Sequence, residues 1–286
     1  DLQGLNFEYM NLANSDFRRA NFDTANISNV NFTQANLSYT DLSGKDLTGT
    51  ILTGAYLNNS NLRDVDLSGK DLTGTVLTGA NLTNSNLTGT DLSGMDLTGA
   101  ILTGADLSGM DLTGTKLRDV DLSGKDLTGT ILTGADLTNS NLTGTDLSGK
   151  DLTGTILTGA YLNNSILRDV DLSGKDLTGT KLRDVDLSGK DLTGAILTGA
   201  NLTNSKLRDV DLSGKDLSGI RLGGVDLSGM DLTGTILTDA NLVNANLTNA
   251  NLTNANLTNA NLTNTNLENA VLTGTILNCL AHPICD

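Results

Sequence analysis

The sequence predicts an all-β solenoid, in which the chain coils repeatedly in one direction and each coil stacks on the one before. Three observations support this class. A five-residue repeat runs without a gap from residue 1 to residue 280, its second position is always apolar, and its fourth position is nearly always Gly, Asn or Asp. A turn in every repeat leaves no room for helices, which need longer uninterrupted runs.

The second slot of the repeat is its most regular position. Across 56 consecutive pentads this slot holds Leu 51 times, Phe four times and Ile once. The fifth slot is mostly Ala, Ser, Thr or Val. We therefore expect the second and fifth slots to point inward and the other three to point outward. Burial of each Leu contributes at most about 1.5–3 kcal/mol to folding.

The fourth slot predicts the turn. It holds Gly 31 times, Asn 13 times and Asp six times. Gly and Asn tolerate a positive φ better than other residues, which is what the third position of a type II turn requires. The sides between such turns are too short for hairpins, so we expect successive coils to stack through backbone hydrogen bonds about 4.8 Å apart.

The tandem A-(D/N)-L-X-X pattern, as in Ala135–Asn139, resembles the pentapeptide repeat family over residues 1–280. This resemblance implies a right-handed, four-sided (quadrilateral) parallel β-helix with four pentads in each coil. The 56 pentads then give about 14 coils. Runs of Ser and Thr in the third slot persist at spacings of both three and four pentads, so the pattern itself leaves three or four sides open.

A single repeat domain, residues 1–280, is predicted, with a short C-terminal tail at 281–286. Within the domain, composition separates Phe-containing coils at 1–40, redundant acidic coils at 41–240 and Asn-rich coils at 241–280. No second domain or linker is predicted.

The net charge of −15 disfavours direct binding to nucleic acid, which needs a basic surface. No apolar run approaches the roughly 18 residues of a transmembrane segment.

Most acids occupy the first slot, and a coil of four pentads would stack them. Bound Ca²⁺ would relieve their repulsion; the alternative is a solvated acidic face. No other metal or cofactor is predicted. The proposed column comprises Asp151, Asp171, Asp191, Asp211 and Asp231.

Basic residues occupy two unusual places. Seven lysines lie in the inward fifth slot, where an unpaired ammonium would be costly, so we expect each amine to reach solvent or a carboxylate. They are Lys45, Lys70, Lys125, Lys150, Lys175, Lys190 and Lys215. Five arginines precede an Asp and predict surface ion pairs with it. They are Arg63, Arg118, Arg168, Arg183 and Arg208.

The tail contains both cysteines. We expect a Cys279–Cys285 disulfide, which fits an oxidising compartment. The alternatives are free or intermolecular thiols, or a metal site that includes His282, although a fourth ligand is not evident. The chain begins in register at Asp1 without Met, which predicts a processed product or a fragment. An extracellular or cell-surface location is expected, with a cytoplasmic one as the alternative.

These features predict a non-enzymatic structural or scaffold protein, exported and shaped as a rigid rod, that assembles end to end with itself as a dimer or filament, or binds another protein. With one His, the usual catalytic groupings are excluded. The family resemblance implies an alternative, an acidic DNA mimic that binds a type II topoisomerase. Against it, a DNA length of about 67 Å carries roughly 40 negative charges, whereas this chain has 33 acids and 18 bases. A cation-binding or ice-binding surface is a further alternative.

Overall fold

The computed structural model describes residues 1–285. They belong to two compact units, Asp1–Asn141 with Asp151–Thr155, and Leu142–Lys150 with Ile156–Asp286. Within each unit the regular backbone pairing consists of single-residue parallel bridges. The one helix among the described residues is a short 3₁₀ helix at Pro283–Cys285.

The bridges establish a stacking period of four pentads inside each unit. In the first unit Asn61 pairs with Asn81, and in the second Tyr161 pairs with Lys181. The same separation recurs until the last bridge, which joins Asn261 to Leu280. The three-pentad alternative left open by the sequence is therefore not the spacing of the bridges.

The core of each unit is a stack of second-slot side chains. From Phe22 to Leu262 this slot is buried throughout, and the small fifth-slot residues between are mostly buried as well. Near the N-terminus the Leu stack gives way to phenylalanines, with the rings of Phe22 and Phe32 fully buried and their centroids 6.2 Å apart. The predicted inward and outward slots are confirmed.

The fourth slot makes the turn in every pentad from Gly4 to Gly274, with φ between 54° and 71°. Within most turns the fifth-slot N–H donates to the second-slot carbonyl, as from Ala25 to Phe22 at 2.9 Å. Even Tyr9 and Arg19, which have no intrinsic preference for this conformation, adopt φ values of 63° and 61°. Position in the repeat therefore overrides residue identity.

The register ends at the tail. Leu280 bridges to Asn261, one residue short of the usual separation, and Ala281 takes the left-handed conformation at φ 61°. The division of the chain at residue 280, and the three segments within 1–280, stay predictions.

A glycine pair tests the cost of the turn. Gly129 has φ +69°, and a Cβ there would lie 3.3 Å from the Gly109 Cα, whereas Gly223 lies in the third slot without a left-handed φ. We expect Gly129→Ala to lower the free energy of unfolding by about 1–2 kcal/mol. The matched Gly223→Ala change should stay within about 0.5 kcal/mol. Urea denaturation measures both; equal effects would contradict the strain argument.

Candidate functional site

Most charged residues lie where a fifth-slot residue meets the first-slot residue that follows it. This junction lies between successive turns and carries the bridges to the neighbouring coils, and we call it a corner. A regular corner makes two backbone hydrogen bonds to the preceding coil. At the Asn81 corner, the Asn81 N–H donates to the Ser60 carbonyl at 2.9 Å, and the Leu62 N–H donates to the Asn81 carbonyl at 2.7 Å. The same pair recurs at corners with Ile, Lys, Arg or Tyr in the first slot, such as Arg221.

Aspartate corners differ. At Asp46, Asp71, Asp191 and Asp211 the structure of residues 1–285 has neither of these two backbone bonds. The side-chain turn is not the cause, because Asp46 Oδ1 accepts the Thr48 N–H at 2.8 Å just as Asn81 Oδ1 accepts the Thr83 N–H at 3.1 Å. Asn and Asp have nearly the same shape, so we attribute the open corner to the carboxylate charge.

Asp136 supports this explanation because it keeps both bonds. Its N–H donates to the Thr115 carbonyl at 2.9 Å, and its carbonyl accepts the Leu117 N–H at 2.8 Å. Its side chain is only 9% exposed, and its carboxylate receives the Arg118 Nε–H from the preceding coil. Burial raises the pKa of Asp136, but the hydrogen bonds from Thr138 and Arg118 outweigh it and hold the pKa below its usual value.

The predicted Arg–Asp pairs are present in three of the five segments; among residues 1–285, neither Arg118 nor Arg168 forms an ion pair with the Asp that follows it. Arg63, Arg183 and Arg208 each contact the next residue, Asp64, Asp184 and Asp209, at 3.2, 3.3 and 3.4 Å. These pairs are exposed and contribute about 0–1 kcal/mol each. Arg118 reaches Asp136 in the following coil instead of Asp119. Sequence spacing alone missed this pair, since it depends on the four-pentad period.

The fifth-slot lysines are all partly exposed, and the structure adds a contact that the sequence did not predict. In five of them the amine donates to a backbone carbonyl of the preceding coil. Lys45 Nζ lies 3.3 Å from the Ala25 carbonyl, and Lys190 Nζ lies 3.0 Å from the Val170 carbonyl. These carbonyls stand where a regular corner would receive the N–H of the next residue, so the ammonium supplies the donor that the Asp corner lacks. The lysines with such a contact are Lys45, Lys70, Lys125 and Lys190, whereas Lys215 donates to the second-slot carbonyl of Leu192.

Threonine performs a similar task in the same slot. Thr75 Oγ1 donates to the Leu52 carbonyl at 2.9 Å, and Lys70 Nζ donates to the equivalent Leu47 carbonyl at 2.6 Å. Burial lowers the pKa of the half-buried Lys70 amine, while Asp66 and Asp46 act in the opposite direction. The fifth slot thus accepts either a small apolar residue or a donor aimed at inward carbonyls.

The acidic column divides between the units: Asp151 belongs to the first, and the other four members belong to the second. In the second, hydrogen bonds from Thr193 lower the pKa of Asp191, and those from Ser213 lower that of Asp211. The charge of Asp191 in turn raises the pKa of Asp171, which its bonds with Ser173 lower more strongly. These carboxylates are ionised and already accept the donors of their own turns.

Metal binding gains no support from this column. Residues 1–285 contain no group of three or more His, Cys, Asp or Glu side chains placed to hold a metal ion. Ca²⁺ binding by the acidic column stays a prediction.

The disulfide prediction is confirmed. Cys279 and Cys285 are joined, with their Cα atoms 4.9 Å apart. Both sulfurs are thereby consumed, so the alternative metal site with His282 loses two of its ligands. His282 Nδ1 instead accepts the Ile284 N–H at 3.3 Å, within the turn that the disulfide closes.

The four-pentad stacking, the apolar second slot and the left-handed fourth slot together define a repeat protein of the β-helix type. The family model "Pentapeptide repeats (8 copies)" matches residues 1–69, 71–214 and 216–279 in overlapping segments. The chain belongs to the pentapeptide repeat family. No helix in the described part of the chain has the length and apolar character needed to span a bilayer.

Solved structures similar to this chain are also pentapeptide repeat proteins. HetL, involved in heterocyst differentiation regulation in the cyanobacterium Nostoc sp. strain PCC 7120, is 24% identical, with 98% of this chain and 91% of HetL covered and a TM-score of 0.30. Rfr23 from the cyanobacterium Cyanothece 51142 is 33% identical, with 39% and 91% covered and a TM-score of 0.26.

A third similar structure is QnrB1, a plasmid-mediated fluoroquinolone resistance protein. It is 23% identical, with 74% of this chain and 91% of QnrB1 covered and a TM-score of 0.22. Comparison with curated protein sequences gives no match. At these scores the similarities carry no conclusion about function.

The charge explanation of the open corners can be tested at Asp136. We expect Arg118→Gln to leave the carboxylate unneutralised and to accelerate hydrogen exchange at the Asp136 and Leu117 amides by roughly fivefold, since one backbone hydrogen bond contributes about 1 kcal/mol. Adding Asp136→Asn should restore slow exchange, because Asn corners keep both bonds. Failure of this rescue would show that Arg118 acts through packing instead of charge.

The lowered aspartate pKa values predict acid destabilisation. The folded state binds these protons less tightly than the unfolded chain, so the stabilisation is complete above the ordinary carboxyl value of 3.8 and is lost as the pH falls through the lower folded values. The thermal midpoint should hold between about pH 7 and 5 and fall below about pH 4. A rise on acidification would show that relief of stacked-carboxylate repulsion dominates.

Proposed function

We propose that this protein is a non-enzymatic structural scaffold. The observation that carries this proposal is the use of its polar groups: first-slot Asp and Asn side chains hold the turn two residues ahead, and fifth-slot Thr and Lys donate to inward carbonyls. Typical examples are the hydrogen bond from the Thr48 N–H to Asp46 Oδ1, at 2.8 Å, and the one from Thr75 Oγ1 to the Leu52 carbonyl, at 2.9 Å. Side chains of the kinds that form binding or catalytic sites in other proteins are here used to stabilise the coil itself.

The open grooves support the same function. One groove of about 840 Å³ in the second unit is lined by Lys206, Arg208, Asp226 and Ser228 among others. Its basic groups already pair, Lys206 with Asp186 at 3.2 Å and Arg208 with its neighbouring carboxylate. The single His lies in the tail and not in this groove, so no nucleophile–base pair is assembled there.

The finer architecture belongs to this proposal. Four pentads in each stacking period favour one pentad per side, and hence a four-sided coil. With the right hand implied by the family resemblance, the 56 pentads then form about 14 coils.

We further propose end-to-end assembly through the first and last coils of this chain. Leu5 and Met10 are each 47% exposed, and Ile276 and Leu280 are 52% and 54% exposed. The backbone ladder also has a direction, because second-slot N–H groups donate to the following coil and first-slot N–H groups to the preceding one. The two edges are therefore complementary, and a head-to-tail contact of this kind grows as an open polymer.

Export to the extracellular space or the cell surface is part of the proposal, supported by the Cys279–Cys285 disulfide, since such bonds persist in oxidising compartments. The alternatives, a cytoplasmic location, a topoisomerase-binding DNA mimic, and a cation-binding or ice-binding surface, stay predictions from the sequence.

End-to-end assembly predicts a concentration-dependent mass. Sedimentation of the 286-residue chain should show growth with concentration, and Leu5→Glu with Met10→Glu should abolish it by placing charge on the exposed apolar edge. The matched control is Ile51→Glu with Ile101→Glu, which changes equally exposed apolar residues away from the edge. Equal loss in the control, or a concentration-independent monomer in the unaltered chain, would contradict end-to-end assembly.

A further inference from the structure

One stripe of the second unit reverses the acidic character of the chain. Its first-slot residues are joined by successive parallel bridges and contain no Asp. Only two of its members are charged and both are basic, in a chain whose net charge is −15. We call this set the basic stripe: Tyr161, Lys181, Asn201, Arg221, Asn241 and Asn261. Beside it, Arg183 and Asp184 form an ion pair at 3.3 Å, so their charges cancel.

Arg221 stands out within the basic stripe. Its side chain is exposed, and among residues 1–285 it makes no ion pair, whereas Arg183 and Arg208 each contact a carboxylate. An unpaired guanidinium at the surface retains its full capacity for a bidentate contact with an incoming carboxylate.

The residue two positions after Arg221 has no side chain, although the fold does not require glycine there. Gly223 is the one glycine of the chain outside the fourth slot. Its φ is not left-handed, and an added Cβ would meet only ordinary contacts, 3.5 Å from the Val243 carbonyl and 3.7 Å from Thr203. Neither strain nor crowding therefore requires glycine here, and its effect is to leave a position without a side chain two residues from the free guanidinium.

The second unit also carries the complementary surface. Its members of the acidic column, Asp171, Asp191, Asp211 and Asp231, are all exposed. They lie two pentads, half of the stacking period, from the members of the basic stripe. A coil closes on itself once per period, so the two surfaces face away from each other and one copy cannot pair them internally.

We propose that the basic stripe of one copy binds the acidic column of a second copy, side by side. The spacing favours this partner over a generic anion. Lys181 and Arg221 lie two stacking periods apart, as do Asp171 and Asp211. Both surfaces are built on the same coil rise, so both cations meet carboxylates at once, either Asp171 with Asp211 or Asp191 with Asp231. The contact rests on the proposed scaffold function and adds a lateral direction to it.

The contact is heterologous, because different surfaces of the two copies meet. Such contacts form open rows unless rotation closes them into a ring. Two copies therefore leave one basic stripe and one acidic column free for further growth, which an isologous dimer would not.

Two variants test this geometry. The first, Lys181→Asn with Arg221→Asn, removes the charges of the basic stripe, keeps the backbone bonds that Asn corners retain, and leaves the acidic column intact. The second replaces all four column members with Asn and leaves the basic stripe intact; Asn keeps the corner hydrogen bonds, so this variant is expected to fold. The matched control, Lys206→Asn with Arg208→Asn, removes the same charges from cations that already pair with carboxylates.

Sedimentation is measured in the background of Leu5→Glu with Met10→Glu, which removes the end-to-end contact. In that background, the unaltered surfaces and the control should self-associate, and each test variant alone should associate at least about tenfold more weakly. A mixture of the two test variants should form a 1:1 complex that does not grow.

Self-association of the stripe variant equal to that of the control, or a mixture that forms no 1:1 complex, would overturn the lateral contact. If end-to-end growth persists without lateral pairing, the proposed function stands and only this inference fails. If the unaltered chain shows neither, both fail.

Discussion

The left-handed residue in the fourth slot is the constraint on which the rest of the structure depends. Because it turns the chain once in every pentad, it brings each second-slot Leu back to the interior and sets the rows of outward residues. The turn is imposed even on Tyr9 and Arg19, with φ of 63° and 61°. Such residues incur a local conformational penalty, which the stacked Leu core and the backbone bonds of neighbouring coils offset.

The second level of control is charge at the corner. Asn and Asp are interchangeable in the family pattern, and both hold the turn two residues ahead. They differ in whether the corner keeps its two backbone hydrogen bonds to the preceding coil. Asp136, with Arg118 against its carboxylate, behaves like Asn, whereas Asp191 does not. The fifth-slot lysines belong to the same balance, since Lys190 donates to the carbonyl left by the open Asp191 corner.

Much of this fold is visible in the sequence because every structural demand recurs in every pentad. The Leu row, the turn slot and the Cys279–Cys285 disulfide needed only local spacing. What the sequence left open involves contacts between coils. The number of pentads per period, the partner of Arg118 and the acceptors of the lysine amines all depend on which residue stacks on which, and the pattern was compatible with periods of either three or four pentads.

The surface of the molecule follows from how its repeats are offset. Copies of the block DLSGKDLTGT begin five pentads apart, as at Asp41 and Asp66 in the first unit, one pentad more than the stacking period. Each copy therefore advances by one position around the coil and distributes its Asp and Lys over successive rows. The folding rules are indifferent to this rotation, because every row accepts the same pentad. Because the fold accepts residues of either charge in the first slot, selection for a partner can act on the basic stripe and the acidic column of the second unit separately from selection for the fold.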